Sequence, residues 1–337
     1  MGKISRVERE FIARKRLLRI LENHGVANAR TLEQKISDAG PNPQRVDPHI
    51  LTSVRNALVS ENRLVKLERG NTTWFHRRDA DPAVVERRLA EQLNVFREFT
   101  DRKLVVRTGQ VLEIATFRAL LMLPEAEFFG RFTDLEEHGD EALYTKQEPP
   151  QHIGCRCLPG KKNLDFILRS PFDGFFGIEC KNSREWLYPD RPEIIELIEK
   201  CLALDCVPVL IARRIPYVTF YLLKRCGVII HQTFSQLLPA SAEGVADRAK
   251  HKRLLGYHDI RTGNVPDGRL ITFITRNLMP LAASAKAKYE LYRDLLEGFA
   301  SREIKYKEFA ARVRRRDFGQ EEDNDWPNGD PADWVEE

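Results

Sequence analysis

Asp165, Glu179 and Lys181 lie inside an otherwise apolar stretch, Asn163–Lys181, with the sequence NLDFILRSPFDGFFGIECK. Charged groups set among β-branched and aromatic residues are costly to bury unless they are paired, metal-bound or functional. Two carboxylates held close together repel, and a divalent cation relieves that repulsion. Hard oxygen donors with no histidine in the stretch favour Mg²⁺, with Mn²⁺ as its substitute, over zinc. A lysine two residues beyond the second acid can orient a water beside the ion or help to deprotonate it. Together these groups are equipped for metal-assisted phosphodiester hydrolysis. The bland alternative is a salt-bridged hairpin in which Lys181 only neutralises Glu179.

Positioning these groups requires a hairpin. The stretch predicts two short strands, Leu164–Arg169 and Phe175–Lys181, around a turn holding Pro171, Asp173 and Gly174. Strand side chains alternate, so Glu179 and Lys181 share a face and Cys180 points to the other. A turn centred near Phe172 makes Asp165 and Glu179 cross-strand neighbours, close enough to share an ion.

With Asp165, a spacer and Glu179-Cys180-Lys181 as an ExK element, the chain resembles the PD-(D/E)xK nuclease superfamily of restriction endonucleases and archaeal-type Holliday-junction resolvases. The resemblance covers roughly residues 105–240. It implies an α/β fold, a restriction-endonuclease-like mixed central sheet flanked by helices. It also implies an upstream glutamate, which Glu113 of Gly109–Glu113 supplies. The helix, strand, helix, strand expected downstream falls on Pro192–Leu204, Val207–Ala212, Tyr217–Arg225 and Val228–Thr233. Glu113, Asp165, Glu179 and the backbone carbonyl of Cys180 would then hold Mg²⁺, with Lys181 placing or activating the attacking water. A homodimer is implied too, since cutting two strands needs two sites. The chain departs from the family pattern at Leu164, where a proline often stands. It also lacks the QxxxY motif of the exonuclease-type members.

A chain of 337 residues predicts about two domains, and 42% hydrophobic with 31% charged residues describes an ordinary globular protein. No apolar run is long enough to span a bilayer, and no signal-peptide pattern opens the chain. The six cysteines follow no spacing of a secreted disulfide framework, which points to a reducing cytoplasm. The net charge of +4 conceals an asymmetry. Residues 1–79 carry 16 Lys and Arg against 9 Asp and Glu, whereas residues 317–337 carry nine acids and no Lys or Arg. A basic front end suits a polyanion, so DNA is the expected partner.

The chain divides on this reading into 1–79, an 80–104 connector helix, the 105–240 core, a mostly helical 241–316 extension and an acidic, disordered 317–337 tail. Helices over residues 5–24, Thr31–Ala39 and Asp47–Ser60, then a hairpin of Arg63–Leu67 and Thr72–His76, resemble a winged helix-turn-helix. Its third helix would offer Ser53, Arg55 and Asn56 to a groove, and its wing Arg69 and Arg77 to phosphates. The alternative is a module that binds protein or only packs on the core.

Lys161 and Lys162, Arg184, and Arg213 or Arg214 are further candidates for phosphate contact. His152, Cys155 and Cys157 form an H-x2-C-x-C cluster that lacks a fourth zinc ligand. The stretch Phe128–Pro150 has no periodicity. Arg269–Thr275 predicts one more strand. Arg312–Arg316 reads as a helix end or a second DNA contact, and the acidic tail could also draw a basic protein partner. The rivals to a DNA endonuclease are a non-enzymatic winged-helix DNA-binding protein with a degenerate nuclease fold, and a nuclease of junctions or structured RNA.

Overall fold

In the computed structural model, Ser5 and Glu8 form a capping box that starts α1 (Arg6–His24). The structure describes residues 5–37, 46–123, 126–137, 139–160, 162–169 and 174–320. After α1 the chain makes β1 (Val26–Asn28), α2 (Ala29–Ile36), α3 (Pro48–Ser60), β2 (Leu64–Arg69) and β3 (Thr72–Arg77). Asn28 caps α2, with its side chain accepting from the Thr31 amide at 2.7 Å. The three strands form an antiparallel sheet in the order β1-β3-β2, so Val26–Asn28 adds a strand that hydrophobic patterning did not single out. Leu17, Leu21, Leu32, Ile50, Leu51 and Phe75 close the core of this module. Trp74 is fully buried and donates from Nε1 to the Arg69 carbonyl at 3.0 Å, tying the β2–β3 turn to the core.

Two compact units emerge, residues 1–106 with 238–262 and residues 107–237 with 263–337, in a protein of the α/β class. The first unit therefore extends beyond residue 79. Helix α4 (Pro82–Phe99) buries Val85, Leu89 and Phe96, and Gln92 donates to the Val26 carbonyl at 2.8 Å. Residues 241–262, expected to open a C-terminal extension, belong to this unit instead. Their helix α8 (Glu243–Lys250) packs on α4, Arg248 pairs with Glu98, and the fully buried Tyr257 meets the Phe99 ring edge-on at 5.3 Å. The polar surface of this segment hides small apolar residues, Ala246 and Ala249, that make the contact.

The second unit is built on a five-stranded sheet between two helical layers. From α5 (Arg102–Leu120), whose residues up to 106 belong to the first unit, the chain passes through β4 (Phe128–Phe129), β5 (Arg131–Phe132), β6 (Lys146–Gln147), β7 (His152–Ile153) and β8 (Arg156–Cys157). It then makes β9 (Phe166–Arg169), β10 (Phe175–Lys181), α6 (Pro192–Leu204), β11 (Val207–Ala212), α7 (Tyr217–Arg225) and β12 (Ile229–Gln232). The sheet order is β12-β11-β10-β9-β4, parallel from β10 to β12 and antiparallel at β9. Such a mixed sheet is buried on both faces, which explains the near-continuous burial of Val207–Ala212.

One face packs on Leu112, Ala115 and Phe117 of α5 and on Leu278 and Ala282 of α10 (Leu278–Leu291). The other packs on Ile194, Leu197 and Ile198 of α6 and on residues of α11 (Arg293–Ala300) and α12 (Tyr306–Asp317). Gly177 makes the close approach of α6 possible. A Cβ there would lie 2.7 Å from Cys201 Sγ and 2.8 Å from Cys206 Sγ.

Residues 269–275, predicted as a strand, are helical: α9 (Gly268–Thr272) runs into a π-helical turn, Phe273–Asn277. Asp267 caps the turn by accepting from the Leu270 amide at 2.9 Å. Leu270, Phe273, Ile274 and Leu278 then fall on one buried face at helical spacing, which overrides the β-branched composition. No helix among the described residues is long and apolar enough to cross a membrane, and all six cysteines are free.

Candidate active site

The register of β9 and β10, from Phe175↔Arg169 to Ile178↔Phe166, is the one that a turn centre at residue 172 predicts. The first strand begins at Phe166 rather than at Leu164 as predicted, so Asp165 lies just outside the paired register, and its amide donates to the Ile178 carbonyl at 3.0 Å. The Asp165 carboxylate turns back on the strand end, where Oδ2 accepts from the Cys180 amide at 2.6 Å. Gly130, with φ +97°, leaves room for this bend, because a Cβ there would sit 2.6 Å from the Asp165 carbonyl oxygen.

Glu179 is buried, and both its oxygens are engaged. Lys181 Nζ lies 2.8 Å from Oε2, and Lys200 of α6 donates to Oε1. Lys200 also donates to the Asn163 carbonyl at 2.6 Å, joining α6 to the segment that leads into Asp165. Glu113 of α5 approaches from the other layer and accepts from Lys146 Nζ at 2.6 Å. The same ammonium lies 3.6 Å from Asp165 Oδ1. Three carboxylates and three ammonium groups thus meet at one end of β10.

Burial, with Glu179 and Glu113 nearby, pushes the Asp165 carboxyl up to about 8. Burial opposes charge on Lys181, but Glu179 and Asp165 outweigh it and hold the ammonium above its ordinary range. Lys146 is held up in the same sense by Asp165 and Glu113 against its own burial. The Cys180 thiol faces away, donating to Thr116 Oγ1 at 3.4 Å, and burial pushes its pKa well up, so it is an inert core group.

The donor set has the chemistry a hard divalent cation needs, since all three acids are carboxylates, and burial first and then Glu179 and Glu113 disfavour the charged form of Asp165. Lysines occupy the intervening space, and among the described residues no three His, Cys, Asp or Glu side chains are grouped closely enough to hold an ion as they stand. His152 and Cys157 are cross-strand partners in the β7–β8 hairpin, and Cys155 and Cys157 are exposed.

Lys146 and Lys200 are the two site residues that motif reading missed. Lys146 lies in the aperiodic stretch before the hairpin. Gln110 of α5 fixes that stretch by donating to the Tyr144 carbonyl at 2.7 Å and accepting from the Tyr144 amide at 2.8 Å. Lys200 did carry a signal, a lysine beside Leu197 and Cys201 on the apolar face of an amphipathic helix.

The expected nucleic-acid contacts separate into exposed and engaged groups. Asn56 and Arg69 are exposed. Arg55 instead tucks its guanidinium 4.8 Å over the Phe75 ring, and Arg77 pairs with Asp79 and Glu22. Arg184 is buried and donates to Gln236 Oε1 at 3.1 Å, and Arg213 is buried as well. Lys162 pairs with Glu199 at 2.7 Å, while Lys161 lies outside the described residues. In the run Arg312–Arg316, Arg312 pairs with Glu308 within α12, and Arg316 pairs with Asp294 of α11. The acidic tail beyond residue 320 lies outside the described residues. No family model matches this chain, and no curated protein or solved structure matches it either.

Proposed function

We propose that the chain is a metal-dependent DNA endonuclease, with a restriction-endonuclease-like catalytic unit and an N-terminal winged helix that engages DNA. The observation that carries this reading is the meeting of Glu113, Asp165 and Glu179, from three separate segments, with Lys181 at one end of the central sheet. Asp165, Glu179 and the Cys180 carbonyl, with Glu113, would hold Mg²⁺ or Mn²⁺. A bound divalent cation supplies Lewis-acid stabilisation for the charge that builds on a phosphate oxygen.

The remaining work falls to this chain's own groups. Lys181, held charged by Glu179, fixes the attacking water and offsets negative charge rather than taking a proton. Lys200 fixes the Glu179 rotamer from α6. The Cys180 amide fixes Asp165. The exposed Asn56 and Arg69 of the first unit bring the duplex to the protein by groove and phosphate contact. Cutting both strands calls for two such sites, hence a homodimer.

The test is incubation of the full chain with Mg²⁺, Mn²⁺ or a chelator and labelled linear, nicked, junction and single-stranded DNA, with structured RNA alongside. Cleavage of DNA that needs the metal and disappears in Glu179→Gln is the expected result. Binding of DNA with no cleavage of any substrate would establish the non-enzymatic reading instead.

A further inference from the structure

Lys146 belongs to no part of the motif, yet it is among the most enclosed groups of the site, with a side chain 8% exposed. It sits on β6, a two-residue strand paired only with β5, where it is the partner of Phe132. Its ammonium rests over the rings of Phe166 at 5.1 Å and Phe132 at 5.9 Å. Beyond Glu113 and Asp165 it has a third acidic neighbour, Glu148, at 3.7 Å, and that side chain is half exposed.

An ammonium between Glu113 and Asp165 stands where a divalent ion would have to bind the same two carboxylates. Two cations so close together repel strongly in a partly desolvated site. One must leave for the other to enter. A lysine can leave by rotation of its flexible stem, and Glu148 offers an acceptor nearer to solvent.

We propose that Lys146 is a built-in counter-ion, which holds Glu113 and Asp165 together in the ion-free protein and which a divalent cation displaces towards Glu148 on binding. The inference rests on the metal-dependent reading above. It makes Lys146 a positioning residue that sets the concentration of metal at which the site fills. Competition of this kind is reciprocal: the ammonium weakens the metal as much as the metal weakens the ammonium's contacts.

The experiment is calorimetric titration of the full chain with Mn²⁺ alone, without nucleic acid, together with melting curves in chelator and in Mn²⁺. Lys146→Met is expected to bind Mn²⁺ at least about fivefold more tightly than the native chain, the low end of ordinary coupling between sites. It should also melt lower in chelator and gain more from Mn²⁺. Lys146→Arg, which keeps the charge, should stay close to the native affinity. Should the methionine variant fail to fold, Lys146→Gln carries the same expectation with a hydrogen-bond donor retained. Affinity for Mn²⁺ unchanged or weaker in a folded neutral variant, while the native chain binds Mn²⁺, overturns the counter-ion role and leaves the metal reading standing. A native chain that binds no Mn²⁺ overturns both.

Discussion

Lys200 and Glu179 are joined across the packing of α6 on β10, and neither is exposed. The pair does for the site what the Glu179-Cys180-Lys181 motif alone cannot: it fixes the acid from a second direction. Removing one member of a buried pair strands the other's charge, commonly at about 3 kcal/mol or more. Lys200→Met should therefore destabilise the protein by about 3 kcal/mol in urea unfolding and lower cleavage sharply. Adding Glu179→Gln should recover part of that stability, giving a double-mutant total below the sum of the single changes. Strict additivity would mean the two side chains do not act as a pair.

The Asp165 carboxyl gives a pH dependence of fixed sign. Folding raises its pKa from the ordinary 3.8 to about 8, because burial, Glu179 and Glu113 all disfavour the charged form. The folded protein keeps a proton that the unfolded chain gives up. This stabilising effect is complete below about pH 4 and is lost as pH rises through about 8. Asp165→Asn does not titrate. In chelator, its melting temperature relative to the native chain should therefore climb between about pH 4 and about pH 8 and level off above that. A constant difference across that range would place the carboxyl pKa elsewhere.

Two arginines of the N-terminal unit should behave differently on DNA. Arg69 is exposed at the end of β2, whereas Arg55 is laid over Phe75. Arg69→Ala should reduce the slope of log affinity against log salt by about one. Arg55→Ala should leave the slope alone and cost about 0.5–1 kcal/mol of stability through the lost ring contact. Binding isotherms at several salt concentrations, with thermal melts of both variants, separate the two roles. Point changes serve better here than deletion of residues 1–79, which would uncover Val85 and Leu89 of α4.

Gly177 supports the site from a distance. Its missing Cβ is what lets Cys201 of α6 and Cys206 just beyond it lie against β10, and α6 also carries Lys200. Gly177→Ala should cost about 1–3 kcal/mol by overpacking and should also weaken cleavage as α6 shifts outward. Full activity in a variant that melts at the native temperature would show that α6 has slack at this point.

The sequence made the acidic pair legible because a hairpin's register follows from its turn. Once residue 172 is taken as the centre, the pairing from Phe175 with Arg169 to Ile178 with Phe166 follows, and Asp165 and Glu179 fall at the same end of the hairpin. Helices and strands from Pro192 to Gln232 were legible too, since amphipathic helices alternate there with apolar runs bounded by turn residues. Lys146 was not. Its neighbourhood consists of two-residue strands held by single side-chain contacts such as Gln110 to Tyr144, and such contacts leave no period to read. Arg184 and Arg213 looked like phosphate contacts because they follow strand ends, but charge in a sequence does not reveal burial. Arg269–Thr275 misled through its β-branched residues, whereas the decisive signal was Asp267 placed to cap a helix.

The pairing of Glu113 with Lys146 and of Glu179 with Lys181 and Lys200 has a consequence for how the chain matures. Domains whose acidic ligands face one another unrelieved, or whose cores are held by an ion, wait for metal before they can fold. Here Glu113 and Glu179 each meet an ammonium supplied by the polypeptide itself, and Asp165 keeps its proton. The second unit can therefore complete its fold on the ribosome's product alone, in a cell starved of free Mg²⁺ or Mn²⁺. Its yield on refolding should be the same with and without chelator.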